Sequence, residues 1–186
     1  MRAFLAVELP DAARSALHRL QQELRHAEAD VTWVEPTNIH LTMRFLGEMS
    51  EAQCGQIQAM SRAAAAQAAP IMMKLSALGA FPSAQAPRVV WVGIEQGKAE
   101  LARLADLLEE GCVQAGVPKA DHPFAAHVTL GRVRSPRGRA KLVKQLQELR
   151  WTPPAPFVAD HLTLFESQLS NAGPAYRILE QFSLRK

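Results

Sequence analysis

The sequence predicts a duplicated α+β unit, and three observations carry the prediction. His40-Leu41-Thr42-Met43 and His127-Val128-Thr129-Leu130 repeat one tetrapeptide about half a chain apart, each inside an apolar stretch. With six His and six Thr in 186 residues, random placement yields about 0.2 His-x-Thr triplets, whereas the chain holds three, counting His161-Leu162-Thr163. Strand, helix and His-x-Thr strand also follow in the same order in both halves, with 36 residues from Phe4 to His40 and 38 from Val89 to His127.

Each element has a local reason. Arg2 to Leu9 alternates Phe4, Ala6 and Glu8 against Leu5, Val7 and Leu9, which is a strand. Pro10-Asp11 opens a helix that carries Leu17, Leu20 and Leu24 at helical spacing to about Ala27. Val31 to Val34 reads as a short strand, and after the turn at Glu35-Pro36-Thr37-Asn38 the segment Ile39 to Leu46 is a strand that stops at Gly47. A helix from about Glu51 to Ala68 precedes two strands, Ile71 to Ala80 and Arg88 to Glu95, split by a loop around Pro82 and Pro87.

In the second half, Val89 to Ile94 leads into a helix with Leu101, Leu104, Leu107 and Leu108, then the linker Gly116-Val117-Pro118 and the strand of His127. A helix near Arg139 to Leu149, a proline-rich loop from Trp151 to Pro156, and strands Val158 to Glu166 and Tyr176 to Leu184 complete the order. His161-Leu162-Thr163 follows that loop and fits neither half's phase. It reads as an edge strand whose polar face meets solvent or a neighbouring loop.

Composition narrows the class. Hydrophobic residues at 48% and charged residues at 21% suit a globular chain and exclude a disordered one. A net charge of +3 is compatible with a polyanionic substrate without demanding one. No run approaches the roughly 18 apolar residues of a spanning helix, and Glu8 and Asp11 come too early for a secretory apolar core, so a cytoplasmic location is expected. Cys54 and Cys112 lack a C-x-x-C spacing and read as reduced structural thiols.

Side chains at i and i+2 of a strand share a face, so each repeat presents an imidazole beside a hydroxyl. Imidazole titrates near pH 6.5, which lets one histidine accept a proton while another donates. Displacement at phosphorus needs that pair, because attacking water loses a proton while a poor alkoxide leaving group gains one. Thr42 and Thr129 are suited to hold the non-bridging oxygens. A hydrolytic metal site normally shows three or more ligands, and neither strand places a carboxylate two or four residues from its His; the expectation is chemistry without metal or cofactor.

By the same parity Arg44, four residues from His40, faces the substrate. Arg132, five from His127, falls on the opposite face unless a bulge or the strand's end intervenes. Trp33, Phe45 and Phe124 are candidates to stack on a base, although parity turns Phe45 away with Leu41 and Met43.

The quoted residues resemble the two-histidine (2H) phosphoesterase superfamily, specifically the bacterial RNA 2′,3′-cyclic phosphodiesterases once described as 2′-5′ RNA ligases. The likeness runs from Arg2-Ala3-Phe4-Leu5-Ala6-Val7 through Trp33-Val34 and Asn38-Ile39-His40-Leu41-Thr42-Met43-Arg44-Phe45-Leu46-Gly47-Glu48. It continues through Phe124, His127-Val128-Thr129-Leu130-Gly131-Arg132, Leu164-Phe165-Glu166-Ser167 and Gly173-Pro174-Ala175-Tyr176. Where many relatives carry an Arg-Pro or similar pair before the second histidine, this chain has Ala125-Ala126.

The resemblance implies one α+β domain of two pseudo-symmetric lobes, approximately 1–87 and 88–186, with room for strand exchange between them. Two mainly antiparallel sheets would flank a central cleft, with helices outside. It implies His40 as proton donor and His127 as acceptor, and Thr42, Thr129, Arg132 and Arg44 as substrate-binding residues. RNA ending in a 2′,3′-cyclic phosphate, tRNA fragments among such ends, would be opened to a 2′-phosphomonoester by a monomer that needs no metal and no membrane. Reverse 2′-5′ ligation would be a side activity. Two alternatives stand beside this: a cyclic phosphodiesterase for another nucleotide, such as an ADP-ribose cyclic phosphate or a 2′-5′ oligonucleotide, and a non-catalytic module that binds RNA ends.

Overall fold

A computed structural model describes residues 1–185. In chain order the elements are β1 (Arg2–Glu8), α1 (Asp11–Leu24), β2 (Val31–Trp33), β3 (His40–Glu48), α2 (Glu51–Ala66), β4 (Ile71–Pro82), β5 (Pro87–Gln96), α3 (Lys98–Gln114), β6 (His127–Val133), α4 (Arg139–Glu148), β7 (Phe157–Ala159), β8 (His161–Ser170) and β9 (Gly173–Ser183). Short 3₁₀ turns at Arg25–Ala27 and Pro36–Asn38 follow α1 and β2.

The strands form two antiparallel sheets, of order β3-β1-β8-β9 and β2-β6-β5-β4-β7. Each histidine strand lies beside the strand that opens its half, β3 against β1 and β6 against β5. The halves also trade strands: β2 and β4 belong to the second sheet, while β8 and β9 complete the first. No helix among the described residues is long and apolar enough to cross a membrane.

The main core fills the space between the sheets and helices. Leu5 and Val7 of β1, Leu41 of β3, Leu17 of α1, Leu101, Leu104 and Leu108 of α3 and Leu130 of β6 are all fully buried there. The helical leucines sit three and four residues apart, so one apolar stripe faces the sheets. A capping box of Ser50 with Gln53 starts α2. On its other face the first sheet carries a separate small apolar group of Phe4, Ala6 and Phe165, with Tyr176 packed on it.

The stretch read as one strand from Val158 to Glu166 is two. It divides at Asp160, so that β7 pairs with β4 in the second sheet and β8 with β1 in the first. β8 lies between β1 and β9, which overturns the expectation that His161-Leu162-Thr163 sits at a sheet edge; Thr163 is fully buried. Its hydrophobic pattern reads the same at an edge or in the interior, and only the pairing partners distinguish them.

Both histidine strands are bulged just after their threonine. In β3, Thr42 pairs with Ala6 but Arg44 with Leu5, leaving Met43 as the extra residue. In β6, Thr129 pairs with Trp91 but Gly131 with Val90, leaving Leu130 as the extra residue. A bulge reverses the alternation of side chains beyond it, so the residue five places after each histidine, Phe45 or Arg132, returns to the histidine's face.

Candidate active site

His40 starts β3 opposite Glu8 and stands on the aromatic patch of the first sheet. Its ring stacks on Phe4 at 4.9 Å between centroids and meets Tyr176 edge-on at 5.5 Å. Nδ1 lies 2.6 Å from the carbonyl of Asn38 and Nε2 lies 2.9 Å from the Thr42 hydroxyl. The Asn38 side chain donates to the Pro174 carbonyl (2.8 Å), tying the turn before β3 to β9.

His127 repeats this design in the second sheet. Nδ1 lies 2.6 Å from the carbonyl of Ala125, again two residues back, and the ring meets Phe81 edge-on at 5.1 Å with Trp91 at 6.3 Å. A carbonyl acceptor fixes the hydrogen on Nδ1 in both rings, so Nε2 is the nitrogen that faces a substrate, at His40 shared with the Thr42 hydroxyl. Gly79 makes room for this wall: a Cβ there would lie 2.4 Å from the Trp91 ring.

The two imidazoles differ in charge environment. Burial holds His40 below the usual imidazole range, against the opposing effects of its bond to Asn38 and the Glu8 carboxylate. Burial also holds His127 low, and there the nearby Arg132 charge adds to the depression. Burial raises the pKa of the Tyr176 phenol, and the Arg132 charge opposes that rise in part.

Glu8 is held by three donors, all to Oε2: Thr163 Oγ1 (2.7 Å), Gln181 Nε2 (2.8 Å) and His161 Nε2 (3.0 Å). These bonds outweigh partial burial and keep its carboxyl below the ordinary range. Burial disfavours a charge on His161, yet its bonds to Asp160 and Glu8 prevail and raise its pKa. The segment that seemed unrelated to the repeats therefore buttresses the carboxylate across from His40. One sign of Glu8 was available in advance, as a carboxylate that follows Phe4 and Ala6 on one face of a strand whose only other charge is Arg2 at its start.

Thr42 and Thr129 share the faces of His40 and His127, as the spacing predicts. Arg132 joins them, because the bulge at Leu130 supplies the reversal that simple parity lacked. That bulge is anchored from a distance: the Leu130 carbonyl accepts from the Val34 N–H (2.8 Å) and from the fully buried Gln21 side chain (2.9 Å), which also donates to the Val34 carbonyl.

Arg44 is a correction. The matching bulge at Met43 turns it to the opposite side, where it bonds Glu109 of α3 and the Pro118 carbonyl. Phe45 is the converse: it faces the His40 side, 62% exposed, with its ring 6.2 Å from Phe4. Trp33 and Phe124 pack against the main core instead, and Arg25 covers the Trp33 ring.

A pocket of about 180 Å³ opens beside His40, lined by Glu8, Arg14, Asn38, Phe165, Tyr176 and Ile178 among others. A second depression of about 200 Å³, between α1 and Leu149 to Thr152, contains neither histidine. Chemically, the two histidine faces offer between them two imidazoles, two hydroxyls and one arginine, each imidazole set against aromatic side chains.

A family model described as LigT like Phosphoesterase matches residues 7–91 and again residues 92–176. An RNA 2′,3′-cyclic phosphodiesterase of Methanothermobacter thermautotrophicus is 33% identical over 184 residues, 99% of each chain. One of the same name from Thermus thermophilus is 35% identical, across all of this chain and 91% of its own. The crystal structure of a Thermus thermophilus protein superposes with a TM-score of 0.80 at 32% identity, covering 100% of this chain and 98% of that one.

Proposed function

The chain belongs to the LigT-like phosphoesterase family of the 2H superfamily, and on that premise we propose that it opens RNA 2′,3′-cyclic phosphate ends to 2′-phosphomonoesters, with His40 as proton donor and His127 as acceptor. The observation that carries the reading is the identical pinning of both imidazoles by a carbonyl two residues back, combined with opposite charges beside them. A carboxylate near His40 favours imidazolium, and a guanidinium near His127 favours the neutral ring. Burial lowers both rings; the carboxylate opposes that effect at His40 and the guanidinium adds to it at His127, which supports His40 as donor and His127 as acceptor.

In the reaction, His127 Nε2 takes a proton from water as the water oxygen attacks phosphorus. The P–O3′ bond breaks and His40 Nε2 gives its proton to O3′, leaving the phosphate on O2′. Thr42 and Thr129 donate to non-bridging oxygens, and Arg132 supplies positive charge where negative charge grows. Both proton transfers are then met by side chains, so full activity in chelator is expected. A 5′-hydroxyl in place of water would run the same steps in the same direction: its oxygen bonds phosphorus, P–O3′ breaks, and a 2′-5′ linkage forms.

The donor protonates an oxygen of the terminal ribose, so that ribose belongs on the His40 side. The pocket of Asn38, Phe165 and Tyr176 lies there, with Phe45 beside it as a platform for the base.

The test is product analysis with a short RNA ending in a 2′,3′-cyclic phosphate, in the presence of chelator. We expect a 2′-phosphate end, and a loss of about 10²–10⁴-fold on replacing either histidine by alanine. A 3′-phosphate product, or an H127A variant with the wild-type rate, refutes the assignment.

A further inference from the structure

Arg132 is the first of six cations in thirteen residues: Arg132, Arg134, Arg137, Arg139, Lys141 and Lys144, with no Asp or Glu among them. The chain as a whole has 21 Lys and Arg against 18 Asp and Glu, so everything outside this segment is net negative by three. The modest overall charge therefore hides a concentrated one. All six are exposed.

The structure fixes where this charge runs. Thr32 of β2 pairs with Arg132, and Arg134 Nε donates to the Thr32 hydroxyl (2.8 Å), which places Arg134 on the same side of the sheet as Arg132 and His127. Two residues of strand advance about 6.7 Å, on the order of one step along an extended RNA backbone. The turn that follows is held to Asp30: the Arg134 N–H donates to the Asp30 carbonyl (2.8 Å) and the Asp30 N–H to the Arg137 carbonyl (3.1 Å). Gly138, at φ +69°, packs so closely on Ala29 that a Cβ would lie 2.6 Å from its Cα. Asp30 is the one carboxylate paired with the segment among the described residues, loosely, at 3.8 Å from Arg137. From that turn α4 continues the series with Arg139, Lys141 and Lys144.

Resting on the hydrolytic reading above, we propose that this strand–turn–helix segment is the track for the RNA backbone upstream of the cyclic phosphate. The preferred substrate is accordingly an oligonucleotide end and not a free nucleoside cyclic phosphate. A run of exposed cations that starts at Arg132 on the His127 face and continues through the turn into α4 suits a polyanion whose chain passes back from the terminal ribose on the His40 side across the site. A free nucleoside cyclic phosphate reaches only the first of them.

The experiment compares wild type with R134Q/R137Q/R139Q, checked for an unchanged circular dichroism spectrum. Substrates are an RNA of about twelve nucleotides with a cyclic phosphate end and a nucleoside 2′,3′-cyclic phosphate, assayed between about 50 and 200 mM salt. A catalysis-independent arm measures binding of the same RNA bearing a 2′-phosphate by fluorescence anisotropy. The variant should raise KM for the RNA about tenfold or more with kcat unchanged, flatten the salt slope of RNA affinity by about 2 (three contacts at about 0.7 each), and leave the mononucleotide untouched. Equal loss on both substrates, unchanged RNA binding, or loss of binding to anionic lipid vesicles with RNA affinity intact overturns the proposal. Wild type that hydrolyses neither substrate refutes the hydrolytic reading, and the anisotropy arm then still decides whether the track binds RNA.

Discussion

Replacing Glu8 by Gln tests the division of labour between the histidines, because it removes a charge and keeps the shape. Glu8 and His40 are direct cross-strand partners, which puts their Cβ atoms about 5 Å apart. The carboxylate leans toward Thr163 and Gln181. Unit charges on the order of 8 Å apart interact by about 0.5 to 2 kcal/mol at an effective dielectric constant between 20 and 80. His161, itself favoured as a cation, offsets part of the effect. The lower end applies, and without the Glu8 charge the pKa of His40 falls further.

The sign follows from the roles. With the proposed roles, the rate should rise with pH as His127 loses its proton and fall as His40 loses its own. E8Q should therefore draw the descending limb of kcat/KM toward lower pH and leave the ascending limb where it is. The assay is a kcat/KM profile from about pH 5 to 9 on a cyclic phosphate substrate, with wild type and E8Q in parallel. A shift of the ascending limb alone, or of the descending limb to higher pH, would show that the acid and base are assigned the wrong way round.

Gln21→Ala removes the buried donor shared by the Leu130 and Val34 carbonyls; about 1–3 kcal/mol of stability should be lost, with a raised KM as Arg132 loosens, measured by denaturant melts and kinetics. Gly79→Ala drives a methyl into the Trp91 ring, so overpacking of about 1–3 kcal/mol and reduced kcat are expected from thermal melts and turnover. Phe45→Ala should weaken RNA by about 1–3 kcal/mol of stacking, read as KM, while Arg44→Lys should act on stability through its bonds to α3 and leave KM unchanged. A KM effect from Arg44 with none from Phe45 would contradict the bulge at Met43.

The sequence by itself determined the strands that carry His40-x-Thr42 and His127-x-Thr129, the helices behind them and the repetition of the unit, because two-residue and near-four-residue periodicities are local properties of the chain. It also pointed to proton transfer by paired imidazoles as the chemistry to propose. Which side chains beyond each threonine reach the site was decided only by tertiary structure. Simple parity favoured Arg44 over both Phe45 and Arg132, whereas the bulges at Met43 and Leu130 reverse all three. A bulge depends on the partner strand and its anchors, and one anchor here, Gln21, is 109 residues away from the carbonyl it holds. For the same reason Glu8, Thr163 and His161 form a group only after β1 and β8 pair, since no local pattern records which strand becomes whose neighbour.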